Sequence, residues 1–147
     1  MNNIIIREIQ ESDLNDGFLE SLNNLRPINL EKDAAKNILK KILNDNNHII
    51  HVAVLNGKIV GSTTLLIEQK FIHEGGLVGH IEDVVVMKEF ERNQIGRQIV
   101  ESLLKVAKER GCYKTILDCN ENINKFYKKI GFKNESNGMR FDHLENC

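Results

Sequence analysis

Two adjacent acids, Glu82 and Asp83, sit in the run GHIEDVVVMKEFERNQIG, residues 79–96. An acid inside a valine-rich strand is costly to bury unless it is paired or hydrogen-bonded. At least one of the two is therefore a candidate for a perturbed pKa and for acid–base chemistry. Neighbouring residues in a strand point to opposite faces, which puts Asp83 with Ile81, Val85 and Met87, and Glu82 with Val84 and Val86. The alternative is an acid at the frayed end of the strand. Next comes a polar turn of Arg92, Asn93, Gln94, Ile95, Gly96 and Arg97, opening a helix. The first N–H groups of a helix lack intrahelical partners, and with the helix dipole and Arg92 or Arg97 they suit a pyrophosphate. A plain strand-to-helix connection with a solvated face accounts for the same residues.

Three further residues are candidates. Asp118 ends TILDC directly before a loop, and α/β proteins usually place ligands at the C-terminal ends of parallel strands. Tyr127, in FYKK with Phe126 toward the core, can donate a proton to a leaving thiolate or be a core phenol with a satisfied hydroxyl. His73, in KFIHEGG, either binds substrate or is solvated on a loop. Cys119 lies beside Asp118, yet no histidine has a supporting context, so a cysteine acyl-enzyme is not expected. Cys112, Cys119 and Cys147 are odd in number and lack CxxC spacing. Neither a disulfide framework nor a metal site is expected, and free thiols fit a reducing compartment.

The elements that must position these groups follow from periodicity. Residues 3–9 suit a first strand with Ile4, Ile6 and Ile9 inward. Ser12 or Asp13 can cap a helix to about Leu22. Pro27 then sets a loop, and residues 30–43 form an amphipathic helix with Ala34, Ala35, Ile38, Leu39 and Ile42 buried. Asn56-Gly57 between two apolar runs signals a two-residue hairpin. Gly75-Gly76 marks a flexible turn before the strand that carries the acids. A long helix spans residues 94–110 and ends at Gly111, YKTILDC is a fifth strand, and a short helix runs to Ile130. The tail FKNESNGMRFDHL alternates and suits a last strand. A helix between the fourth and fifth strands implies a parallel pair, whereas the earlier hairpins imply antiparallel strands: a mixed α/β sheet.

At 147 residues, 41% hydrophobic and 28% charged, the chain is expected to be a single domain, residues 1–147. A net charge of -1 argues against broad nucleic-acid or membrane affinity. No stretch approaches the ~20 apolar residues of a membrane span. MNNIIIREIQ has no basic start before a signal-peptide core, so a cytoplasmic protein is expected.

EQKFIH (68–73), GHIEDVVV (79–86), the turn 92–97, GCYKTILDC (111–119) and FYKKIGF (126–132) together resemble the GNAT superfamily of acetyl-CoA-dependent N-acyltransferases. The pair GHIEDVVV and GCYKTILDC resembles the members that acetylate glucosamine 6-phosphate. The resemblance implies a mixed, mostly antiparallel sheet with a splayed central parallel pair, flanked by helices. It implies a homodimer, no metal, and direct attack of the amine on acetyl-CoA in a ternary complex, within UDP-N-acetylglucosamine biosynthesis. Carried over by position, Val84, Val85 and Val86 would pair with pantetheine. Arg92, Asn93, Gln94, Ile95, Gly96 and Arg97 would hold the pyrophosphate, and Ile123, Asn124, Lys125 and Tyr127 would also touch the cofactor. Lys70, Phe71, Ile72, His73, Glu82, Asp83 and Asp118 would line the amino-sugar site. Asp118, with Glu82, would orient and deprotonate the amine, a strand N–H near Val85 would polarise the acetyl carbonyl, and Tyr127 would stabilise or protonate the thiolate. Lys70, Arg26 and Arg140 are the candidate phosphate cations.

The chain departs from the superfamily pattern at Glu91-Arg92, where Arg-Gly is usual, and at Gln94, where glycine is common. It departs again at Ile123, where asparagine is usual, and at Arg26-Pro27, where a threonine-containing segment is expected. Alternatives are a GNAT enzyme acting on another small amine or a protein N-terminus, and a non-catalytic acyl-CoA-binding regulator.

Overall fold

Strand β2 (His48–Leu55) decides the layers, because it is apolar on both faces. Ile50, Val52 and Val54 lie in one buried cluster with Phe18, Ala35 and Leu39, while Ala53 and Leu55 lie in another with Ile95 and Ile99. Alternation along a strand sends these two sets to opposite sides, so the sheet is sandwiched between helices. The computed structural model describes residues 3–145, and for Arg92 and Asn93 the backbone alone. The chain divides into two compact units, Met1–Leu117 and Asp118–Cys147.

The first unit holds a five-stranded sheet in the order β1-β2-β3-β4-β5, from β1 (Ile4–Glu8) through β2, β3 (Lys58–Gln69) and β4 (Leu77–Val86) to β5 (Cys112–Ile116). The first three pairings are antiparallel and β4 with β5 is parallel. This is the expected mixed, mostly antiparallel sheet. Asn56 and Gly57 both have positive φ, 51° and 79°, as a tight β2–β3 hairpin turn requires. Helices α1 (Phe18–Leu22) and α2 (Lys32–Leu43) cover one face. The single turn α3 (Ile72–Gly75) links β3 to β4, and α4 (Ile95–Glu109) covers the other face with Ile95, Ile99, Leu103 and Ala107 fully buried.

Four expectations are corrected. The first helix is broken: a 3-10 turn at Glu11–Asn15 and α1 are separated by Gly17 at φ 103°. Asp13 caps no α-helix. It is 1% exposed, pairs with Arg7 through two contacts of 2.7 Å and accepts the Gln10 N–H at 2.9 Å. Burial works against its charge, but Arg7 and the Gln10 N–H outweigh burial and hold the carboxyl below its ordinary range. On α2 the buried stripe narrows to Ala35 and Leu39, leaving Ala34 exposed and Ile38 facing a cavity.

In the second unit, a 3-10 turn at Glu121–Ile123 leads into α5 (Asn124–Ile130), which ends at Gly131 with φ 124°. The tail is not a strand: among the described residues it joins no sheet, and Met139, Phe141 and Leu144 are strongly exposed.

Candidate active site

The two acids lie on one side of the sheet, not on opposite faces as alternation predicts. Ser62 pairs with Val85 and Thr64 with Glu82, so Asp83 and Val84 together oppose the single residue Thr63. That is a β-bulge, and at its centre Asp83 takes a φ of 49°. The extra residue resets the pleat. Ile81, Val84 and Val86 pack toward α4, whereas Glu82 and Asp83 both line the cavity on the opposite face. Both carboxylates are exposed, and among the described residues neither is held in an ion pair. The burial that would have singled them out from sequence is absent. What singles them out is the bulge.

The same strand has an open edge. β5 pairs only with residues Leu77, Val78, Gly79 and His80 of β4, so the segment 81–86 has no β5 partner. Its polar backbone groups can be assigned by pleat. The Met87 N–H donates to the Val60 carbonyl at 2.8 Å, and the Val85 carbonyl points at Gly61, where an added Cβ would meet it at 3.0 Å. Residues alternate in direction, so Val84 and Val86 turn their N–H and C=O groups to the open edge. An extended ligand can add there as a strand would.

The cavity between the sheet and the first two helices is about 450 Å³. Phe18, Leu22, Ile38 and Leu39 form its helical wall, and Ser62, Thr64, Glu82 and Asp83 supply its polar floor and rim.

Residues 70–73 lie at the end of the β3–β4 hairpin. Glu68 accepts from His80 at 2.9 Å and from Lys70 at 3.0 Å, and these two partners hold its carboxyl below the usual range. Lys70 is thus paired with Glu68. Phe71 is fully exposed and Ile72 is 63% exposed. From Gly76 to Glu82 the strand runs six residues, about 20 Å at its extended rise. One chain therefore does not bring its own 70–73 segment and its acid pair to the same small sugar.

At the far end of β4, a 3-10 turn at Lys88–Asn93 leads to Gln94, which has a left-handed φ of 58°. Glycine adopts that conformation without penalty, which is the physical reason it is common there. α4 then begins without a side-chain cap and without an acid in its first turn. The Gln98 N–H bonds back to Gln94, so the N–H groups of Ile95, Gly96 and Arg97 are left for an anion. Arg97 itself is bound to Glu101 at 2.7 Å along the helix. The side chains of Arg92 and Asn93 lie outside the described set.

Within the second unit, Asp118 is exposed, and the tail passes it closely: a Cβ on Gly138 would lie 3.1 Å from its carboxylate. Tyr127, not Phe126, is the buried aromatic, packed edge-on against Phe126 and Phe132. Burial first, and then the nearby Cys119, push its phenol up to about 12. No described residue hydrogen-bonds its hydroxyl. Asn124 donates to Asn134 at 3.1 Å, and Ile123 and Lys125 are exposed. Arg26 follows α1 in the first unit, and Arg140 pairs with Asp142 in the second. Cys112 and Cys119 are free thiols; Cys147 lies outside the described residues.

Sequence reasoning singled out neither Gly138 nor Glu68, and of Val84, Val85 and Val86 it favoured an N–H near Val85, whereas the pleat turns Val84 and Val86 to the open edge. Only the last had a signal, the two-residue period, and the bulge hid its phase.

Known proteins carry the same pattern. The model of the acetyltransferase (GNAT) family matches residues 11–132, across both units. A glucosamine 6-phosphate N-acetyltransferase of Arabidopsis thaliana is 37% identical over 135 residues, covering 89% of this chain and 91% of that protein. One from Candida albicans is 37% identical over 134 residues, covering 86% and 87%. The crystal structure of glucosamine-6-phosphate N-acetyltransferase from Arabidopsis thaliana superposes with a TM-score of 0.94 at 35% identity, over 97% of this chain and 99% of that one.

Proposed function

Because the chain belongs to the acetyltransferase (GNAT) family, we propose that it moves the acetyl group of acetyl-CoA to the amine of D-glucosamine 6-phosphate, giving CoA and N-acetyl-D-glucosamine 6-phosphate. The observation that carries the reading is β4: an unpaired edge at residues 81–86 with two unpaired carboxylates at its bulge. A pantetheine arm is an extended chain of amides and fits such an edge. A protonated amine fits the acids.

The pyrophosphate is held by the free N–H groups of Ile95, Gly96 and Arg97 and by the dipole of a 15-residue helix, together with Arg92, Asn93 and Gln94. Ile123, Asn124 and Lys125 supply further cofactor contacts. Outward N–H groups from Val84 or Val86, rather than Val85, donate to the thioester carbonyl as negative charge grows on its oxygen. The ammonium must lose a proton before its nitrogen can attack. Asp118 takes that proton, and Glu82 and Asp83 hold the amine. As the tetrahedral intermediate collapses, the thiolate leaves and Tyr127 meets it. A phenol raised to about 12 is a weaker acid than a thiol near ~8.5, so Tyr127 stabilises the thiolate by donating a hydrogen bond and keeps its proton.

A homodimer completes the acceptor site. The separation of residues 70–73 from the acid pair supports a reading in which the second copy supplies Lys70 and His73, and exposed Phe71, Ile72, Met139 and Phe141 offer apolar contact surface. Arg26 and Arg140 join Lys70 on the phosphate. The two units act as one domain. Free Cys112 and Cys119 suit a cytoplasmic role in UDP-N-acetylglucosamine biosynthesis.

The apolar wall of the cavity beneath Glu82 and Asp83 favours one second reading, a less polar amine as acceptor. Replacing Asp118 by Asn tests the chemistry. Acetyl-CoA affinity stays at the wild-type value while turnover falls at least ~100-fold. Unchanged turnover removes Asp118 from the mechanism.

A further inference from the structure

The link between β3 and β4 is built around a residue that has no place in the proposed chemistry. His73 and Glu74, neither of them glycine, have φ of 54°, and Gly75 follows at 74°. Consecutive left-handed residues persist only where their surroundings over-determine them. Gln69 does part of this, donating to the Gly75 carbonyl at 2.7 Å, and Lys70 N–H donates to the Gly76 carbonyl at 2.8 Å. The rest comes from Tyr113 on β5. Its ring stacks on the His73 imidazole with centroids 4.0 Å apart and planes tilted by 32°. The same ring occupies the space that Gly76 leaves: a Cβ there would lie 2.6 Å from the Tyr113 ring and 3.1 Å from the His73 Cβ. The Tyr113 hydroxyl is buried and, among the described residues, has no hydrogen-bond partner. Among the described residues, the contacts this side chain makes are made by its ring.

We propose that Tyr113 is a positioning residue for the acceptor: its ring, in the slot left by Gly76, holds His73 in the left-handed turn that presents residues 70–73 to the sugar phosphate. This rests on the reading of residues 70–73 as the acceptor segment. Tyr113 acts through His73 and touches no reacting atom. The hydroxyl is dispensable and the flat ring is not, which separates this role from one in hydrogen bonding.

The test uses the full-length protein with Y113F, Y113L and G76A, steady-state kinetics in both substrates, and the His73 Cε1–H proton signal, assigned by its loss in H73A. In wild type the Tyr113 ring current moves that signal away from its random-coil position. Y113F keeps both the shift and the wild-type KM for glucosamine 6-phosphate. Y113L and G76A lose the shift and raise that KM ~10-fold, the effect of about one charged hydrogen bond, with the acetyl-CoA KM unchanged. The Y113L/G76A double variant shows no further rise, because both changes break one contact. An unshifted wild-type signal overturns the inference and leaves the acceptor reading standing. A shift present in wild type and lost in Y113L, with the sugar KM unmoved, overturns the positioning role together with the acceptor reading of His73. A rise in Y113F equal to that in Y113L also overturns it.

Discussion

Asp83 sits in a conformation that a side chain adopts at a cost, and that cost predicts how stability and activity separate at this position. A non-glycine residue in the left-handed region costs about 1–3 kcal/mol, with Asp at the low end because its short side chain tolerates the region. Replacing Asp83 by Gly removes that cost, about 1 kcal/mol for Asp, but adds about 0.4–1 kcal/mol of unfolded-state freedom, for a net stabilisation of about 0–0.6 kcal/mol. In a chain of this size that raises Tm by up to about 2 °C. Activity moves the other way. Losing one charged hydrogen bond to the ammonium, about 1.5–3 kcal/mol, lowers kcat/KM for glucosamine 6-phosphate roughly 10- to 150-fold. D83N separates the two effects, since Asn also tolerates the left-handed region: its Tm stays near wild type and its kcat/KM falls as in D83G. Thermal melts and thiol-release kinetics on the three proteins decide the matter. A D83G protein that melts lower than wild type refutes the strain argument. One that keeps wild-type kcat/KM refutes the amine contact.

Two more outcomes follow from the geometry. His51 is held neutral: Ser102 gives its proton to the Ile99 carbonyl at 2.6 Å, so the His51 Nδ1–H donates to Ser102 at 2.8 Å, and burial pushes the imidazole down. A base with a lowered folded pKa loses stability as pH falls below its unfolded value near ~6.5, with a slope approaching about 1.4 kcal/mol per pH unit until the folded form also protonates. Urea unfolding at pH 7.5 and 5.5 should show a larger drop for wild type than for His51→Asn; equal drops remove His51 as the cause. Mixing D83N with a K70A/H73A double variant, after subunit exchange, should restore about a quarter of wild-type activity, because half of the dimers then carry one intact site. Activity equal to the mean of the two variants places both groups in one subunit.

The sequence showed more of the scaffold than of the site. Asn56-Gly57 fixed the β2–β3 hairpin because only residues tolerant of positive φ make so tight a turn. The i, i+4 spacing of Ile95, Ile99 and Leu103 fixed α4 and its buried face. The acids were found by type but misplaced by phase, because one bulge residue reverses every later side chain and Asp needs no glycine to make the bend. The turn at Ile72–Gly75 read as flexible because its glycines were visible, whereas the ring that braces it comes from β5, some 40 residues on by simple numbering. Asp13 read as a cap because its partner, Arg7, lies on a neighbouring strand and leaves no periodic trace. Alternation in the tail signalled a strand, yet a strand also needs a partner, which a local pattern does not supply.

The central claim is acetyl transfer to an amino sugar phosphate. Purified protein with acetyl-CoA and a panel of amines tests it directly, with CoA release followed by a thiol reagent and the product identified by mass. The panel holds glucosamine 6-phosphate, glucosamine, an alkyl amine and a peptide with a free N-terminus. Thiol release at the highest kcat/KM with glucosamine 6-phosphate, and N-acetylglucosamine 6-phosphate as product, is the predicted result. No release above background with that sugar, or a preference for the alkyl amine or the peptide, would contradict the account.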